Sequence, residues 1–436
     1  MKIFSVVHDY LPEHIGGTEL HAHQMAIEMR RRGHDVTAIF TERDTTAKEG
    51  EVRPGTLDGV RTVELVHQRE FEDLRGSFEH PIAEKLFAEL LEAERPDLVH
   101  FQHLAFWGPN CVALARRFGA AVVYTAHDYG ALCSAGTLLT GAGDLCPAGS
   151  GGNCHDCINH LPLVADRWRG SLGSHRKEPS RETLLAVAAN TRRYQYRQGV
   201  QYAQKVVCPS RFLADVLVKG GLLREEQVVV MKAGYPGPLL PPRPRRNGTL
   251  RIGYVGGFYP SKGVHILCDA YARIPHTRVG ENGPELHLFG VLEWFPSYVA
   301  ELREIVKDRK ATFHGRFDPA DVDRVFEQVD LLVVPSIWYE NQPITIQEAF
   351  RVGLPVVATD LGGMAEAVRH GVDGLLFPRG ASADLAGRLT QLDADRELLE
   401  ALGKGRPAVP TLAQIADELE SVYESCLAAP AARQDA

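Results

Sequence analysis

The chain reads Leu331-Leu-Val-Val-Pro-Ser-Ile-Trp-Tyr-Glu-Asn-Gln-Pro-Ile-Thr-Ile-Gln-Glu348 late in its sequence, and this segment predicts one strand, one loop and one helix. Its first four residues are all apolar, which is typical of a parallel strand that is covered on both faces. Pro343 favours the first turn of a helix, because proline has a preset φ and no N–H group. We therefore expect a helix over Ile344–Val352 and an open α/β sheet around it.

Two carboxylates in this segment occupy different surroundings. Glu340 lies in the predicted loop after the strand, at the edge where open α/β sheets bind ligands. Glu348 lies on the predicted helix, about a turn and a half from its start, where it could accept both hydroxyl groups of a ribose. The N–H groups at the helix start attract anions such as phosphate. These features together favour a binding site for a nucleotide sugar. For Glu340, the alternative is an acidic surface residue that contacts no ligand.

Length and composition describe an ordinary globular protein of at least two domains. The chain has 436 residues, of which 44% are hydrophobic and 24% charged. A net charge of -8 argues against general nucleic-acid binding. Met1–Val7 enters a strand without a signal peptide, and no apolar run approaches the roughly 20 residues that span a bilayer. We expect a cytoplasmic protein whose cysteines are reduced or metal-bound.

Short apolar strands alternate with helical segments, which predicts two doubly wound, Rossmann-like α/β domains that face a central cleft. The N-terminal, acceptor-side domain is expected over residues 1–235 and the C-terminal, donor-binding domain over residues 250–410. Residues 236–249, rich in proline and glycine, are typical of a linker. Residues 411–436 contain an amphipathic helix, expected to pack on the N-terminal domain, and a tail. The predicted strands are Ile3–His8, Val36–Thr41, Val60–Leu65, Leu98–Gln102, Ala121–Ala126, Lys205–Pro209, Val228–Lys232, Leu250–Val255, Glu285–Phe289, Ala311–His314, Leu331–Val334, Pro355–Thr359 and Gly374–Phe377.

A glycine turn follows the first predicted strand of the second domain. Gly256 and Gly257 let the backbone bend tightly and approach a ligand. Lys262 lies where its ammonium group could reach a diphosphate as a point charge. The same pattern also fits a tight βα turn with a solvated lysine, so it does not by itself predict a site.

These features together resemble the retaining glycosyltransferases of family 4, which have the two-domain GT-B architecture. The resemblance covers nearly the whole chain. It implies a hexosyltransferase that moves a sugar from a UDP- or GDP-sugar to a glycan, lipid-linked or small-molecule acceptor, with retention at the anomeric carbon and no cofactor in catalysis. It rests on Gly16-Gly17-Thr18-Glu19, His127-Asp128, Gly256 through Gly263, Trp338-Tyr-Glu-Asn341 and the glutamate pair.

The resemblance also implies a role for individual residues. The catalytic group would be His127, Lys262 and Glu340. Lys262 would stabilise the leaving diphosphate, Glu340 would lie near the donor sugar, and His127 would reach that sugar from the first domain. Cations and oriented amides stabilise the negative charge that grows on the leaving group. Donor binding would involve Gly16, Gly17, Gly256, Gly257, the amides of Asn341 and Gln342, and Glu348 at the ribose.

One position departs from the family pattern. Family members commonly carry an arginine directly after the first glycine of this turn, where it contacts the diphosphate, whereas this chain has Gly257. Lys262 is then the main cation, or Arg316 compensates. The departure motivates an alternative function, a nucleotide-sugar-binding protein without transfer activity. A second alternative is a GT-B epimerase that changes a sugar while it is attached to its nucleotide.

Four cysteines and a basic segment lie outside these motifs. The last two cysteines have the spacing that lets two thiolates share one metal ion. A structural zinc ion is expected in this glycine-rich insertion at about 133–160, with an iron–sulfur cluster or free thiols as alternatives. From Asp166 to Val200, basic residues outnumber acidic ones, so this segment is either a solvated helical face or a contact with an anionic membrane or a phosphate-bearing acceptor. The cysteines are Cys133, Cys146, Cys154 and Cys157, with His155 and His160 as further candidate ligands.

Overall fold

The computed structural model describes residues 1–68, 74–147, 154–158, 180–241, 248–275 and 283–428. The chain divides into two units, of which the first comprises Met1–Gly234 with Leu412–Ala436 and the second Tyr235–Thr411. Each unit contains one sheet of mainly parallel strands that alternate with helices. The predicted fold class, an α/β protein with two doubly wound sheets, is confirmed.

Strands and helices alternate along most of the described chain. The strands are β1 (Lys2–Val6), β2 (Asp35–Arg43), β3 (Val52–Leu57), β4 (Val60–His67), β5 (Leu98–Phe101), β6 (Ala121–Thr125), β7 (Lys205–Cys208), β8 (Val228–Val230), β9 (Arg251–Val255), β10 (Glu285–Phe289), β11 (Ala311–Gly315), β12 (Leu331–Val334), β13 (Val356–Thr359) and β14 (Gly374–Phe377). The helices are α1 (Gly17–Arg31), α2 (Pro81–Glu94), α3 (Asn110–Arg117), α4 (Cys154–Cys157), α5 (Arg181–Val200), α6 (Arg211–Lys219), α7 (Val264–Arg273), α8 (Pro296–Ile305), α9 (Val322–Phe326), α10 (Ile344–Arg351), α11 (Gly362–Ala367), α12 (Ser382–Ala394), α13 (Arg396–Lys404) and α14 (Leu412–Ala428).

The first unit is built on an eight-stranded sheet in the order β3-β4-β2-β1-β5-β6-β7-β8. All neighbouring strands are parallel except β3 and β4, which are antiparallel. The chain adds strands on one side of β1 and then, from β5 onward, on the other. The switch point between β1 and β5 is where sheets of this kind bind ligands.

Strand β3 is absent from the sequence prediction, whereas the thirteen predicted strands all occur, with ends within two residues of those predicted. Pro54 and Gly55 lie inside β3 and argue against a central strand, since proline cannot donate to a neighbouring strand. The structure resolves this conflict by placing β3 at the edge of the sheet, paired with β4 alone.

Helix α14 packs on the first unit, although it follows the second unit in sequence. Its Ile415, Leu419 and Tyr423 are buried in the same cluster as residues of β1 and α1. The hydroxyl group of Tyr423 lies 2.7 Å from Nδ1 of His100 on β5. Each fully buried side chain of this size contributes about 1.5–3 kcal/mol to stability. Burial of the apolar stripe predicted from the sequence therefore explains why α14 packs on the first unit.

The second unit has six parallel strands in the order β11-β10-β9-β12-β13-β14. One face of the sheet is covered by α7, α8 and α12, and the other by α9, α10 and α11. The chain adds β10 and β11 on one side of β9 and then starts β12 on the other side. The switch point of this unit therefore lies between β9 and β12.

The described part of the predicted linker is bound to the second unit. The N–H group of Leu240 donates to the carbonyl of Arg351 over 3.0 Å, and that of Tyr235, which directly precedes the predicted linker, donates to the carbonyl of Pro410 over 3.0 Å. Arg406 also donates to the carbonyl of Leu240. Residues 242–247 of this segment lie outside the described residues.

Among the described residues, the structure contains no helix whose length and apolar character would allow it to span a bilayer.

Candidate functional site

The second unit brings two residues that are far apart in sequence into contact at its switch point. Lys262 ends the short turn Pro260–Lys262 after β9, and Glu340 lies in the loop between β12 and α10. The ammonium group of Lys262 donates to Oε1 of Glu340 over 2.8 Å. The pair lies at the carboxyl ends of β9 and β12, where ligands bind in such sheets.

Glu340 is held by three donors that share one carboxylate oxygen. Besides Lys262, the hydroxyl group of Ser336 donates to Oε1 over 2.6 Å, and the indole N–H of Trp338 donates to it over 2.8 Å. Among the described residues these are the donors to the Glu340 side chain. A buried carboxylate held in this way keeps one orientation, and its second oxygen, Oε2, is left for a ligand. The sequence did not single out Ser336, although it lies in the segment that predicts the site.

Two glycines let neighbouring backbone segments approach the Glu340 loop closely. Gly263 has a φ of +68°, and a Cβ atom there would lie 2.0 Å from the carbonyl oxygen of Pro335. The N–H group of Gly363 donates to the carbonyl of Glu340 over 2.9 Å. A Cβ atom at Gly363 would lie 2.1 Å from the carbonyl oxygen of Asn341. A side chain fits neither position. Glycine is therefore required where these two backbone segments pack against the loop that contains Asn341 and Gln342, the predicted donor-binding residues.

Glu348 lies on α10, and Glu340 in the loop before it, as the sequence predicts. Burial raises the pKa of Glu348 to about 7. Among the described residues, its carboxylate has no hydrogen-bond or ion-pair partner. Burying a charged group without a partner costs free energy. A ligand that brings hydroxyl groups to this position would supply the missing donors.

The packing around the turn after β9 explains why position 257 is a glycine, and the sequence alone could not show this. The hydroxyl group of Tyr254 donates to the carbonyl of Gly257 over 2.6 Å, which fixes the turn. A Cβ atom at Gly257 would lie 2.3 Å from the Tyr259 ring. The ring of Tyr259 thus occupies the space where a side chain at position 257, such as the arginine that the resemblance implies, would begin. The backbone of Gly256, by contrast, has a φ of +156°, which favours glycine.

Two arginines lie at the same edge of this sheet. Arg316 follows β11, which is two strands from β9 and hence about 10 Å away. It is exposed and does not join the Lys262–Glu340 pair. Arg379, which the sequence analysis missed, follows β14, and its Nε donates to the carbonyl of Ile337 over 2.6 Å. It brings positive charge to the Glu340 loop, and its position after a strand is the one signal that could have indicated it.

The first unit has a group of polar side chains at its own switch point. The rings of His8, after β1, and His103, after β5, have centroids 4.2 Å apart. Nε2 of His103 lies 3.1 Å from Oδ2 of Asp128, after β6. Burial disfavours the charged form of both side chains, but the attraction between the two opposite charges is stronger. It therefore raises the pKa of His103 and lowers the pKa of Asp128 to about 2. His8 belongs to the same network, since its Nε2 lies 3.1 Å from Oε1 of Glu19.

His127 lies beside this network in a buried position. Its Nε2 lies 3.1 Å from Oε1 of Gln102, and its ring meets the ring of His21 edge to face at 5.6 Å. Burial, followed by the neighbouring histidines His21 and His103, holds the pKa of His127 well below its usual range. His127 is therefore a neutral hydrogen-bonding group, which fits contact with a sugar hydroxyl; that role stays a prediction.

The Gly16–Gly17 turn carries a carboxylate into this network. Gly16 precedes α1, and a Cβ atom there would lie 2.3 Å from Oε2 of Glu19. Ligand atoms of His8, Asp9 and Glu19 lie within 4.8 Å of one another, the one such trio among the described residues. Nδ1 of His8 is buried without a partner, however. A metal-binding histidine usually donates from its second nitrogen, so we assign no metal ion to this trio.

Two sequence models of known families match the chain. The model described as Glycosyltransferase Family 4 matches residues 15–235, just over half of the chain. The model described as Glycosyl transferases group 1 matches residues 249–395. The chain belongs to glycosyltransferase family 4.

Relatives of this glycosyltransferase agree with that assignment. It is 27% identical to D-inositol 3-phosphate glycosyltransferase of Mycobacterium marinum over 377 residues, which are 83% of this chain and 70% of that protein. It is 25% identical to glycogen synthase of Mycobacterium tuberculosis over 411 residues, which are 89% of this chain and 84% of that protein.

Solved structures show the fold of this glycosyltransferase. Sucrose-phosphate synthase from Thermosynechococcus elongatus has a TM-score of 0.68 and 19% identity, covering 98% of this chain and 100% of that chain. The Anabaena protein HepE in complex with UDP-glucose has a TM-score of 0.64 and 20% identity, with the same coverage. The predicted GT-B fold is confirmed.

The cysteine cluster of the glycosyltransferase lies in the first unit. Cys154 and Cys157 begin and end the single turn α4. Burial raises the pKa of Cys154, and the thiols of Cys133, Cys146 and Cys157 add to the rise, so the four sulfur atoms share one neighbourhood. No three of them lie within 4.8 Å of one another. A zinc ion would have to draw the sulfur atoms together, and its presence stays a prediction.

Some predicted features of the glycosyltransferase fall outside the described residues. These are His160 and residues 166–179 of the basic segment. In the described part of that segment, Arg192 is buried, with its guanidinium 4.4 Å from the ring centroid of Tyr196 and its Nε donating to Ser77 over 2.8 Å. Arg192 is therefore part of the core of the first unit and is not available to a membrane. Contact with a membrane and a cytoplasmic location stay predictions.

Proposed function

We propose that this glycosyltransferase transfers a hexose from a UDP-sugar to an acceptor glycan, with retention at the anomeric carbon and without a metal ion in the catalytic step. The contact between Lys262 and Glu340, together with the carboxylate of Glu348 that has no partner among the described residues, carries the proposal. UDP is favoured over GDP because the HepE structure, with the same fold, contains UDP-glucose.

Glu348 is proposed to bind the ribose of the nucleotide. Its carboxylate lies on α10 and lacks donors from the described residues, so the two ribose hydroxyl groups would satisfy it. Hydrogen bonds to a carboxylate favour its charged form. Nucleotide binding should therefore reverse the burial effect that raises the pKa of Glu348 to about 7 in the unbound protein.

Lys262 is proposed to stabilise the leaving diphosphate. When the bond between the sugar C1 atom and the phosphate oxygen breaks, negative charge grows on the diphosphate, and a preorganised cation lowers the barrier. Glu340 holds the ammonium group in place before the donor arrives. With Lys262 as the cation at the diphosphate and Glu340 holding its ammonium group, the site needs no arginine at position 257.

Glu340 is proposed to bind the donor sugar through Oε2, since Oε1 already accepts three hydrogen bonds. In a retaining transfer the acceptor oxygen forms its bond to C1 on the face from which the phosphate leaves. The proton of the acceptor hydroxyl can then pass to the departing phosphate oxygen, so the step balances without a metal-bound base. Addition of a chelator should leave the rate unchanged.

Donor turnover tests the proposal. The protein is incubated with UDP- and GDP-linked glucose, galactose and N-acetylglucosamine, and release of free nucleotide is measured. Slow release of UDP from at least one donor is expected, together with weaker UDP binding by Glu348→Ala. Tight binding with no release, even with oligosaccharide acceptors, would favour a binding protein. A changed sugar still joined to its nucleotide would favour an epimerase.

A further inference from the structure

Three aromatic side chains, two of them exposed and one half-buried, form a cluster at the carboxyl edge of β9 and β10. Tyr259 and Trp294 are stacked with ring centroids 5.7 Å apart, and Phe295 meets Tyr259 edge to face at 5.3 Å. Trp294 is 58% exposed and Phe295 41% exposed. We call these three side chains the aromatic platform. Adjacent exposed aromatic side chains of this size are uncommon on a soluble protein and mark interaction sites.

The glycine at position 257 makes the aromatic platform possible. A Cβ atom there would lie 2.3 Å from the Tyr259 ring, so any other residue would displace that ring, which is stacked on Trp294. Its φ does not lie in the left-handed region, so the ring, and not the backbone, is what requires a glycine. Position 257 thus leaves space for the ring of Tyr259 in the cluster.

The platform is joined to the donor site by a single short turn. The N–H group of Lys262 donates to the carbonyl of Tyr259 over 2.9 Å, and residues Pro260–Lys262 form the turn between them. On the other side, the loop after β10 that carries Trp294 approaches the glycine turn so closely that a Cβ atom at Gly290 would lie 1.9 Å from the carbonyl oxygen of Gly256. A ligand on the platform would therefore lie next to the sugar that Lys262 and Glu340 handle.

We propose that the aromatic platform stacks on a sugar ring of the acceptor glycan and so sets its position for transfer. This inference rests on the proposed function. A pyranose ring has an apolar face of C–H groups and a rim of hydroxyl groups. A flat aromatic surface covers the apolar face, while the rim keeps its hydrogen bonds to water. An oligosaccharide therefore suits a surface that is aromatic, open and close to the transfer site.

The charges around the platform argue against an anionic membrane as its partner. Membrane contact through aromatic side chains is usually supported by lysine and arginine. Here Glu293 directly precedes Trp294 and is exposed, as is Glu301 on α8. On and after α8, Arg303 lies over the ring of Phe313 at 4.4 Å and Lys307 pairs with Glu304, so both of these basic residues already have partners.

Calorimetric titration with oligosaccharides tests the platform directly. The full-length protein, saturated with UDP, is titrated with oligosaccharides of glucose, galactose, mannose and N-acetylglucosamine. At least one should bind, and Trp294→Ala should weaken it about tenfold or more, the equivalent of one aromatic contact. Trp294→Phe keeps a ring and should retain most of the affinity. The affinity for UDP should be the same in all three proteins, which also shows that the variants are folded.

Three results would overturn the proposal that the platform binds a sugar ring of the acceptor. One is that no oligosaccharide binds the wild-type protein; another is that Trp294→Ala binds as tightly as Trp294→Phe. The third is binding of vesicles of phosphatidylcholine and phosphatidylglycerol that Trp294→Ala abolishes, which would assign the surface to a membrane. Failure of the proposed function would look different, because UDP would then not be released from any donor while oligosaccharide binding persisted.

Discussion

Glu348 provides a test in which nucleotide binding and stability move in opposite directions. Glu348→Gln replaces a half-buried carboxylate that has no partner among the described residues by a neutral side chain of nearly the same shape. The substitution removes a charge that the unbound protein tolerates poorly. It also removes the acceptor that the ribose hydroxyl groups are proposed to need. We therefore expect a variant that is more stable than the wild type and binds UDP more weakly.

The size of the stability change follows from the pKa of Glu348. Burial raises this pKa from 4.5 to about 7. At about 1.36 kcal/mol for each pH unit, the ionised group costs the folded state roughly 3 kcal/mol. The stability that the neutral group confers is fully present below pH 4.5 and is lost as the pH rises through 7. Glu348→Gln should match the wild type near pH 4.5 and exceed it by up to about 3 kcal/mol at pH 8.5.

The assay is urea denaturation of the full-length protein, followed at pH 5 and pH 8.5 without nucleotide. UDP binding is measured by calorimetry over the same range. In the wild type, affinity should fall by up to about tenfold for each pH unit below 7, because the protonated carboxyl group loses acceptor capacity. In Glu348→Gln the affinity should be lower, and any remaining pH dependence reports the phosphate groups of UDP.

A wild-type protein that is as stable as Glu348→Gln at pH 8.5, or more stable, would refute this reasoning. It would mean that the carboxylate has a partner in the unbound state. Equal UDP affinity in the two proteins at pH 8.5 would separately remove Glu348 from the ribose site.

Three further predictions concern the cation, the turn and the cysteines. Lys262→Ala should lower kcat about 10²–10³-fold with a smaller effect on KM, as for the loss of one preorganised donor, whereas Lys262→Arg should retain part of the rate; equal rates in the alanine variant and the wild type would exclude Lys262 from catalysis. Gly257→Arg should displace the Tyr259 ring, strengthen UDP binding through a new diphosphate contact and weaken oligosaccharide binding; calorimetry showing unchanged affinity for both ligands would contradict the packing argument. Metal analysis of the purified protein should find about one zinc ion per chain, lost in Cys154→Ser/Cys157→Ser; the absence of any stoichiometric metal would exclude the ion.

The sequence could predict those parts of the fold that depend on local patterns. Apolar runs located thirteen strands, because strands covered on both faces are continuously hydrophobic. The edge strand Val52–Leu57 escaped because its proline and glycine contradict the local pattern, and its place at the edge is a property of the whole sheet. The same limit applies to α14, whose apolar stripe was visible but whose partner residue, His100, was not.

The candidate site also has features that the sequence could predict and others that depend on the folded structure. Glu340, Glu348 and Lys262 could be found because each follows a strand in a recognisable motif. The contact between Lys262 and Glu340 could be expected from the parallel topology, but the donors Ser336 and Trp338 depend on side-chain packing. The reason for Gly257 lies in the ring of Tyr259, two residues away, and no local pattern indicates that this ring folds back over the turn.

The most direct test of the central claim is the stereochemistry of transfer. Proton NMR follows the C1 proton of an α-linked UDP-sugar as the enzyme consumes it in the presence of an oligosaccharide acceptor. The account predicts a first-formed product with the α configuration, at a rate that a chelator does not change and that Lys262→Ala lowers. A first-formed product with the β configuration would contradict it.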